Sequence, residues 1–249
     1  MAPWMVELEA RHLADLRFAD VSRALRALSS TYVERRERLQ ERGSLDSAGK
    51  RAAFALYYGP RHLQLVRGIV EALPGAAAPC RTLLDLGCGT GVAGAAWASA
   101  ITPPPAVTGL DVHPWALTEA AATYRAFALP GEVGRVAAGR ARFERVDAAI
   151  AAFVVNELEP RDREPLLPRL IQAASRGTRV LVIEPLALRV SPWWPEWVTA
   201  FTAAGGRADE WRLAVPAPPL VKKLGDAAGL GTGEVTGRSL WLPGVAQGK

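Results

Sequence analysis

The sequence predicts an α/β protein in which a helical segment precedes a mostly parallel sheet with helices on both faces. From Arg81 onward, short apolar runs of strand length alternate with helical stretches. A glycine-rich turn follows the first of those runs, and residues 4–73 show helical periodicity with no strand signal. The expected division is residues 1–75 for the helical segment and 76–249 for the α/β domain.

Bulk properties bound the reading. With 249 residues, 49% hydrophobic and 22% charged, the chain suits one large domain with an accessory segment. The longest apolar runs, such as "AAIAAFVV", fall far short of the roughly 20 residues of a membrane span. The start "MAPWMVELEAR" carries acids where a signal peptide needs a basic and then an apolar stretch, so a cytoplasmic, non-membrane protein acting as a monomer is expected. Only Cys80 and Cys88 are present, which gives no disulfide framework and no metal-ligand spacing, and no metal is expected. The formal charge of +5 permits a polyanionic partner without requiring one, because no long Lys/Arg run concentrates it.

In "DVSRALRALSSTYVERRERLQERG", Val21, Leu25, Leu28, Tyr32 and Leu39 fall near a 3.6-residue period, and Gly43 marks a stop. A second amphipathic segment runs to Pro74-Gly75 with an expected interruption at Gly59-Pro60. "RTLLDLG" then reads as a buried strand, followed by the glycine turn and the small-residue helix "GVAGAAWASA". "AVTGLDV" is a second strand, followed by a helix opening at Pro114, which suits a first helical turn. "EVGRVAAG" reads as a third strand, "VDAAIAAFVVN" as a fourth and "RVLVIEP" as a fifth, with "RDREPLLPRLIQAAS" as the helix between the last two. The remainder reads as two further strands around a short helix. Such a sheet collects ligand groups at the carboxyl ends of its strands.

The turn "LLDLGCGTGVAG" holds two overlapping patterns. From Asp85 it reads acid-x-Gly-x-Gly-x-Gly, with Gly87, Gly89 and Gly91; from Gly89 it reads Gly-x-Gly-x-x-Gly, with Gly91 and Gly94. The second is the dinucleotide fingerprint, weak evidence when alone. Asp85 discriminates, because a carboxylate just before the turn repels a pyrophosphate and attracts the ammonium and sulfonium of S-adenosylmethionine. Asp111, twenty residues after Gly91, suits the ribose hydroxyls of either ligand.

"LLDLGCGTGVAGAAWA", "VTGLDVHPWAL", "FVVNELEP" and "VLVIEP" resemble the motifs of class I S-adenosylmethionine-dependent methyltransferases over about residues 80–240. Within that superfamily, "NELEPRDREPLLPRL" and "AAFALYYGPRHL" look most like bacterial relatives of the methyltransferase-like proteins associated with the mitochondrial small ribosomal subunit. The resemblance implies a Rossmann-like, seven-stranded, mostly parallel sheet and S-adenosylmethionine as cofactor. It implies that Asp85, Gly87, Cys88, Gly89, Gly91, Asp111, Val112, His113 and Asn156 hold that cofactor. Two cysteines cannot reproduce the cysteine cluster of the mitochondrial members. Nor does "RVAAGRARF" offer the acid that many class I enzymes place after the third strand for adenine, having Gly139 and Arg140 there, so adenine is left to backbone groups, Val112 or His113.

Methyl transfer needs alignment and electrostatics more than acid–base chemistry. Asn156 and Glu157, ending the fourth strand, are the expected catalytic pair: Asn156 orients an amine or hydroxyl or holds cofactor, and Glu157 accepts a proton or pairs with an acceptor cation. A capping role at a strand end is the structural alternative. Tyr57, Tyr58, Glu184, Trp193 and Trp194 are expected near the acceptor, Trp193, Trp194 and Trp197 having helix packing as their alternative. His12 and His62 read as isolated histidines. A nucleophile elbow, a phosphate loop, a His-Glu-x-x-His helix and an Asn-Pro-Pro-aromatic signature are all absent from the sequence. The expected acceptor is ribosomal RNA or the small ribosomal subunit. A small-molecule O- or N-methyltransferase and a non-catalytic ribosome assembly factor are the alternatives.

Overall fold

A computed structural model describes residues 1–34, 45–187 and 191–244. Leu39 and Gly43 lie outside the described residues, as does the side chain of Tyr32. The described helices are α1 (Ala2–His12), α2 (Phe18–Glu34), α3 (Ala48–Ala53), α4 (Gly59–Ala72), α5 (Val92–Ala98), α6 (Pro114–Ala126), α7 (Pro160–Arg163), α8 (Leu166–Ser175), α9 (Trp194–Ala203) and α10 (Pro219–Ala228). The strands are β1 (Thr82–Leu86), β2 (Ala106–Asp111), β3 (Gly131–Arg135), β4 (Ala148–Ala152), β5 (Arg179–Glu184), β6 (Arg207–Ala214) and β7 (Glu234–Leu242).

The chain divides into two compact units. One unit comprises Met1–Gln64 with Leu213–Val235; the other comprises Leu65–Arg212 with Thr236–Lys249. The first is helical, and the periodic residues Val21, Leu25 and Leu28 are buried in it, as are Trp4, Leu8, Leu56, Val221 and Leu224. Gly59-Pro60 does not interrupt its helix. A π-helical turn, Phe54–Tyr58, joins α3 to α4, and the Gly59 amide donates to Phe54 O, five residues back. Pro60 follows the π turn directly, as the second residue of α4 and without an N–H to give to the ladder.

The second unit carries the sheet, in the order β3-β2-β1-β4-β5-β7-β6. β1 runs parallel to β2 and β4, β2 to β3, and β4 to β5, whereas β7 is antiparallel to β5 with Glu184 opposite Arg238. The α/β expectation therefore holds, with one antiparallel strand near an edge. Every residue of β5 is buried, as continuous apolar strands covered on both faces should be. Two expected elements are shorter than expected. β3 stops at Arg135, after which the Val136 amide makes the last bond of the ladder, to Asp111 O. The helix after β4 breaks into α7 and α8 at Pro165, which has no N–H to carry the ladder on, although Glu164 keeps helical dihedrals.

Candidate active site

The parallel strands β1 and β2 end on the same side, and their loops form one constellation. After β1 the backbone takes positive φ at Gly87 (+59°), Gly89 (+52°) and Gly91 (+75°), the left-handed region that glycine enters without a Cβ penalty. Gly87 is doubly required, since a Cβ there would lie 2.2 Å from a Val154 methyl carbon. The Cys88 amide donates to Leu110 O, and Cys88 O accepts from the Gly91 amide. Cys88 therefore closes the loop with its backbone, while its thiol is buried and pushed far up by desolvation.

Asp85 is only 1% exposed. Its Oδ2 accepts from the Gly94 amide at 2.9 Å and from the Tyr124 hydroxyl at 3.2 Å. The amide can come this close because residue 94 has no Cβ, which would stand 2.7 Å from the same oxygen. The other oxygen, Oδ1, is buried and has no hydrogen-bond partner among the described residues. Burial pushes the carboxyl up to about 7, against the two hydrogen bonds that favour its charge, and nearby Asp111 adds to the rise. Asp85 lies beneath the loop, on a strand buried on both faces, and staples the loop to α5 and α6.

Asp111 faces outward. Its Oδ2 accepts from the Gly89 amide at 2.9 Å and its Oδ1 from the His113 amide at 2.8 Å. A carboxylate offers about four lone-pair sites, so both oxygens retain room for ribose hydroxyls. Beside it Val112 is 54% exposed, an apolar side chain held in the open next to an acid. His113 caps α6, its Nδ1 accepting from the Trp115 amide. Beyond β3, a 3₁₀ turn at Ala138–Arg140 brings Gly139, whose carbonyl accepts from Arg169.

The neighbouring ends of β4 and β5 form a second constellation. Phe153 adopts φ +60°, with its amide on Ile183 O at 2.8 Å, and a 3₁₀ turn, Val155–Glu157, follows. The Asn156 amide nitrogen donates to Glu184 Oε1 at 3.2 Å, its Nδ2 donates to Glu184 Oε2, and its Oδ1 accepts from the Ser191 hydroxyl. Each end of the Asn156 side chain therefore has a partner within the protein. Glu157 is exposed on the same turn. Glu184 is 0% exposed. Burial pushes its carboxyl up to about 8, with Glu157 adding to the rise and the Asn156 and Val155 amides and Arg238 opposing it.

Trp193, Trp194 and Trp197 are 7%, 6% and 2% exposed and pack with Phe201 in the core of the sheet unit, so the packing alternative describes them. The Arg238 guanidinium lies 4.1 Å from the Trp194 ring centre. Tyr57 and Tyr58 belong to the helical unit, edge to face at 5.2 Å, with the Tyr57 hydroxyl donating to Gly231 O. Burial raises both phenols, Tyr58 to about 12. His62 packs against Phe54 and Tyr58 in the same unit, and His12 ends α1. Sequence reasoning missed Tyr124, Ser191 and Arg238. Only Arg238 left a signal, a cation within an otherwise buried strand pattern.

Residues 84–180 match a family model described as a methyltransferase domain. No curated protein matches the chain by sequence. An O-methyltransferase family protein from Burkholderia thailandensis superposes with a TM-score of 0.54 at 15% identity, over 80% of this chain and 60% of that one. Mitomycin 7-O-methyltransferase gives 0.54 at 17% identity, over 95% and 71%. An O-methyltransferase of neocarzinostatin biosynthesis, solved with S-adenosylmethionine and 2-hydroxy-5-methyl naphthoic acid, gives 0.52 at 18% identity, over 81% and 58%. The chain spans about 60% of the length of the first and last of these relatives. The chain has the Rossmann-like fold of the class I methyltransferases.

Proposed function

We propose that this methyltransferase domain uses S-adenosylmethionine to methylate RNA of the small ribosomal subunit. The donor reading is carried by one observation: Asp111 closes on the Gly89 amide with acceptor capacity to spare, next to the exposed Val112. Asp111 would take the ribose hydroxyls, Val112 the adenine face and the Gly87–Gly91 loop the methionine end. The buried Asp85 beneath that loop contributes a field that favours a cation whenever it is ionised. When bound, the sulfonium supplies an electrophilic methyl carbon for in-line displacement. Glu157, exposed at the end of β4, accepts the acceptor's proton or pairs with its charge.

The acceptor reading is supported by charge. Arg135, Arg140, Arg142 and Arg145 are exposed on the stretch leaving β3, with Glu144 the one acid among residues 135–145. Such a stretch suits a phosphate backbone. A second reading, a small-molecule O- or N-methyltransferase, is favoured by the half-buried aromatic cluster of Phe54, Tyr58 and His62 in the helical unit.

The test is transfer of radiolabelled methyl into an extract separated into ribosomal subunits, free RNA, protein and small molecules, with Asp111→Ala as control. Label in subunits or ribosomal RNA, with binding weakened by salt and by Arg140→Ala Arg142→Ala, is the expected result. Label confined to small molecules establishes the second reading. Salt-sensitive binding to subunits without label makes the protein a non-catalytic assembly factor.

A further inference from the structure

We propose that Glu184 is a positioning residue that sets the direction of the hydrogen-bond chain through Asn156 to Ser191, so that one proton on Glu184 turns the Asn156 amide over and releases the Ser191 hydroxyl. The kinetic consequence rests on the proposed methyl transfer; the switch itself does not.

The donors and acceptors along the chain dictate this behaviour. Glu184 receives the Asn156 main-chain N–H on Oε1 and the Asn156 Nδ2–H on Oε2. Both partners are donors, so the arrangement drawn belongs to the ionised carboxylate, which only accepts. At the far end the Ser191 hydroxyl donates to Asn156 Oδ1. Adding a proton to Oε2 sets an O–H against an N–H, and the contact becomes repulsive. Turning the Asn156 amide by half a revolution restores both bonds: the Glu184 O–H donates to Oδ1, and Nδ2 donates to Ser191 Oγ. Ser191 has then become an acceptor, and its own hydrogen is available to another group. The only covalent change is the O–H bond formed on Glu184 with a proton from solvent.

The surroundings keep both states within reach. Glu184 and Ser191 are fully buried, so neither end can exchange its partner for bulk water. Arg238 on β7 stands opposite Glu184 in the strand register and favours the charged form, as do the Val155 and Asn156 amides. Glu157 on the turn and the burial itself favour the neutral form, leaving the carboxyl balanced at about 8. Asn156 follows β4 and Ser191 follows β5, at the strand ends where open α/β sheets hold their ligands. A neutral Glu184 thus frees the Ser191 hydroxyl hydrogen for another buried group at the carboxyl ends of the strands, and an ionised one holds it on Asn156 Oδ1.

The experiment is a pH titration of the full chain followed by NMR of the Asn156 side-chain amide, identified by its loss in Asn156→Ala. In the wild type, the amide resonances shift between pH 7 and 9 with a single midpoint. In Glu184→Gln, the Gln nitrogen donates to Asn156 Oδ1 at every pH, so the resonances stay at the low-pH position. Ser191→Ala keeps the midpoint and moves only the low-pH position of the resonances, because the turned Nδ2 then lacks its acceptor, which also covers the case in which Glu184→Gln fails to fold. A wild-type amide that does not move across this range overturns the proposal, as does a Glu184→Gln protein that titrates like the wild type. Where methyl transfer is measurable, Glu184→Gln flattens its pH profile while S-adenosylhomocysteine affinity, read by calorimetry, stays within about twofold. Absence of transfer in the wild type counts against the functional reading and leaves the amide titration to decide the switch.

Discussion

The loop after β1 and the turn after β4 stand at the same end of paired parallel strands, yet they are held in different ways. The first is a backbone device: three glycines at positive φ, closed by amides bonding to Asp85 and Asp111. The second is a side-chain device, in which Asn156 is held by Glu184 and Ser191 while Arg238 stands opposite from a strand far along the chain. Backbone conformation written in glycine has few alternatives. A chain of amide, carboxyl and hydroxyl groups has two directions, and one proton selects between them.

Five outcomes break or sharpen this comparison. Trp197→Ala, in the core beside the acceptor turn, should lose about 3–5 kcal/mol in denaturant unfolding; a loss under about 1 kcal/mol returns the tryptophans to a pocket role. The pH dependence of stability comes next. Asp85 has its carboxyl raised in the folded state, so the fold binds the extra proton and is most stable below the unfolded value near 3.8. Stability should then fall as pH rises through about 7, by up to about 4 kcal/mol at roughly 1.4 kcal/mol per pH unit, and Asp85→Asn should flatten the curve. Glu184 extends the decline to about pH 8.

Asp111→Ala should weaken S-adenosylmethionine binding about 100-fold, near 3 kcal/mol, since hydrogen bonds to a charged group are worth about 1.5–3 kcal/mol each. Calorimetry showing less than a tenfold change removes Asp111 from the donor site. Gly87→Ala should cost about 2–3 kcal/mol in thermal unfolding, because its Cβ meets Val154 and its φ is left-handed. Val112→Ser should leave the melting temperature unchanged and reduce donor affinity several-fold, about 1 kcal/mol, the side chain being exposed until a ligand covers it.

Much of the donor end was legible because its determinants lie close together in sequence. Asp85 bonds to an amide nine residues on, and Gly89 to a carboxylate twenty-two residues on, within one β-α-β unit. Exposure was not legible: Asp85 stands out by spacing, and only the strand covered on both faces shows that it is buried. Asn156 was singled out by position, yet its partners lie 28 and 35 residues away and carry no shared pattern. The tryptophans show the same limit, since an amphipathic helix rich in aromatics reads alike whether it lines a cleft or fills a core.

By itself the sequence determined the α/β alternation, the glycine turn and the acid that ends β2, because period, φ preference and short-range hydrogen bonding are properties of neighbouring residues. The tertiary structure alone decided that Gly59-Pro60 continues a helix through a π turn and that residues 213–235 join the helical unit. It decided also that Glu184, Asn156, Ser191 and Arg238 meet. Burial and long-range polar pairing depend on which elements pack together, and that is set by the whole sheet rather than by any one stretch of chain.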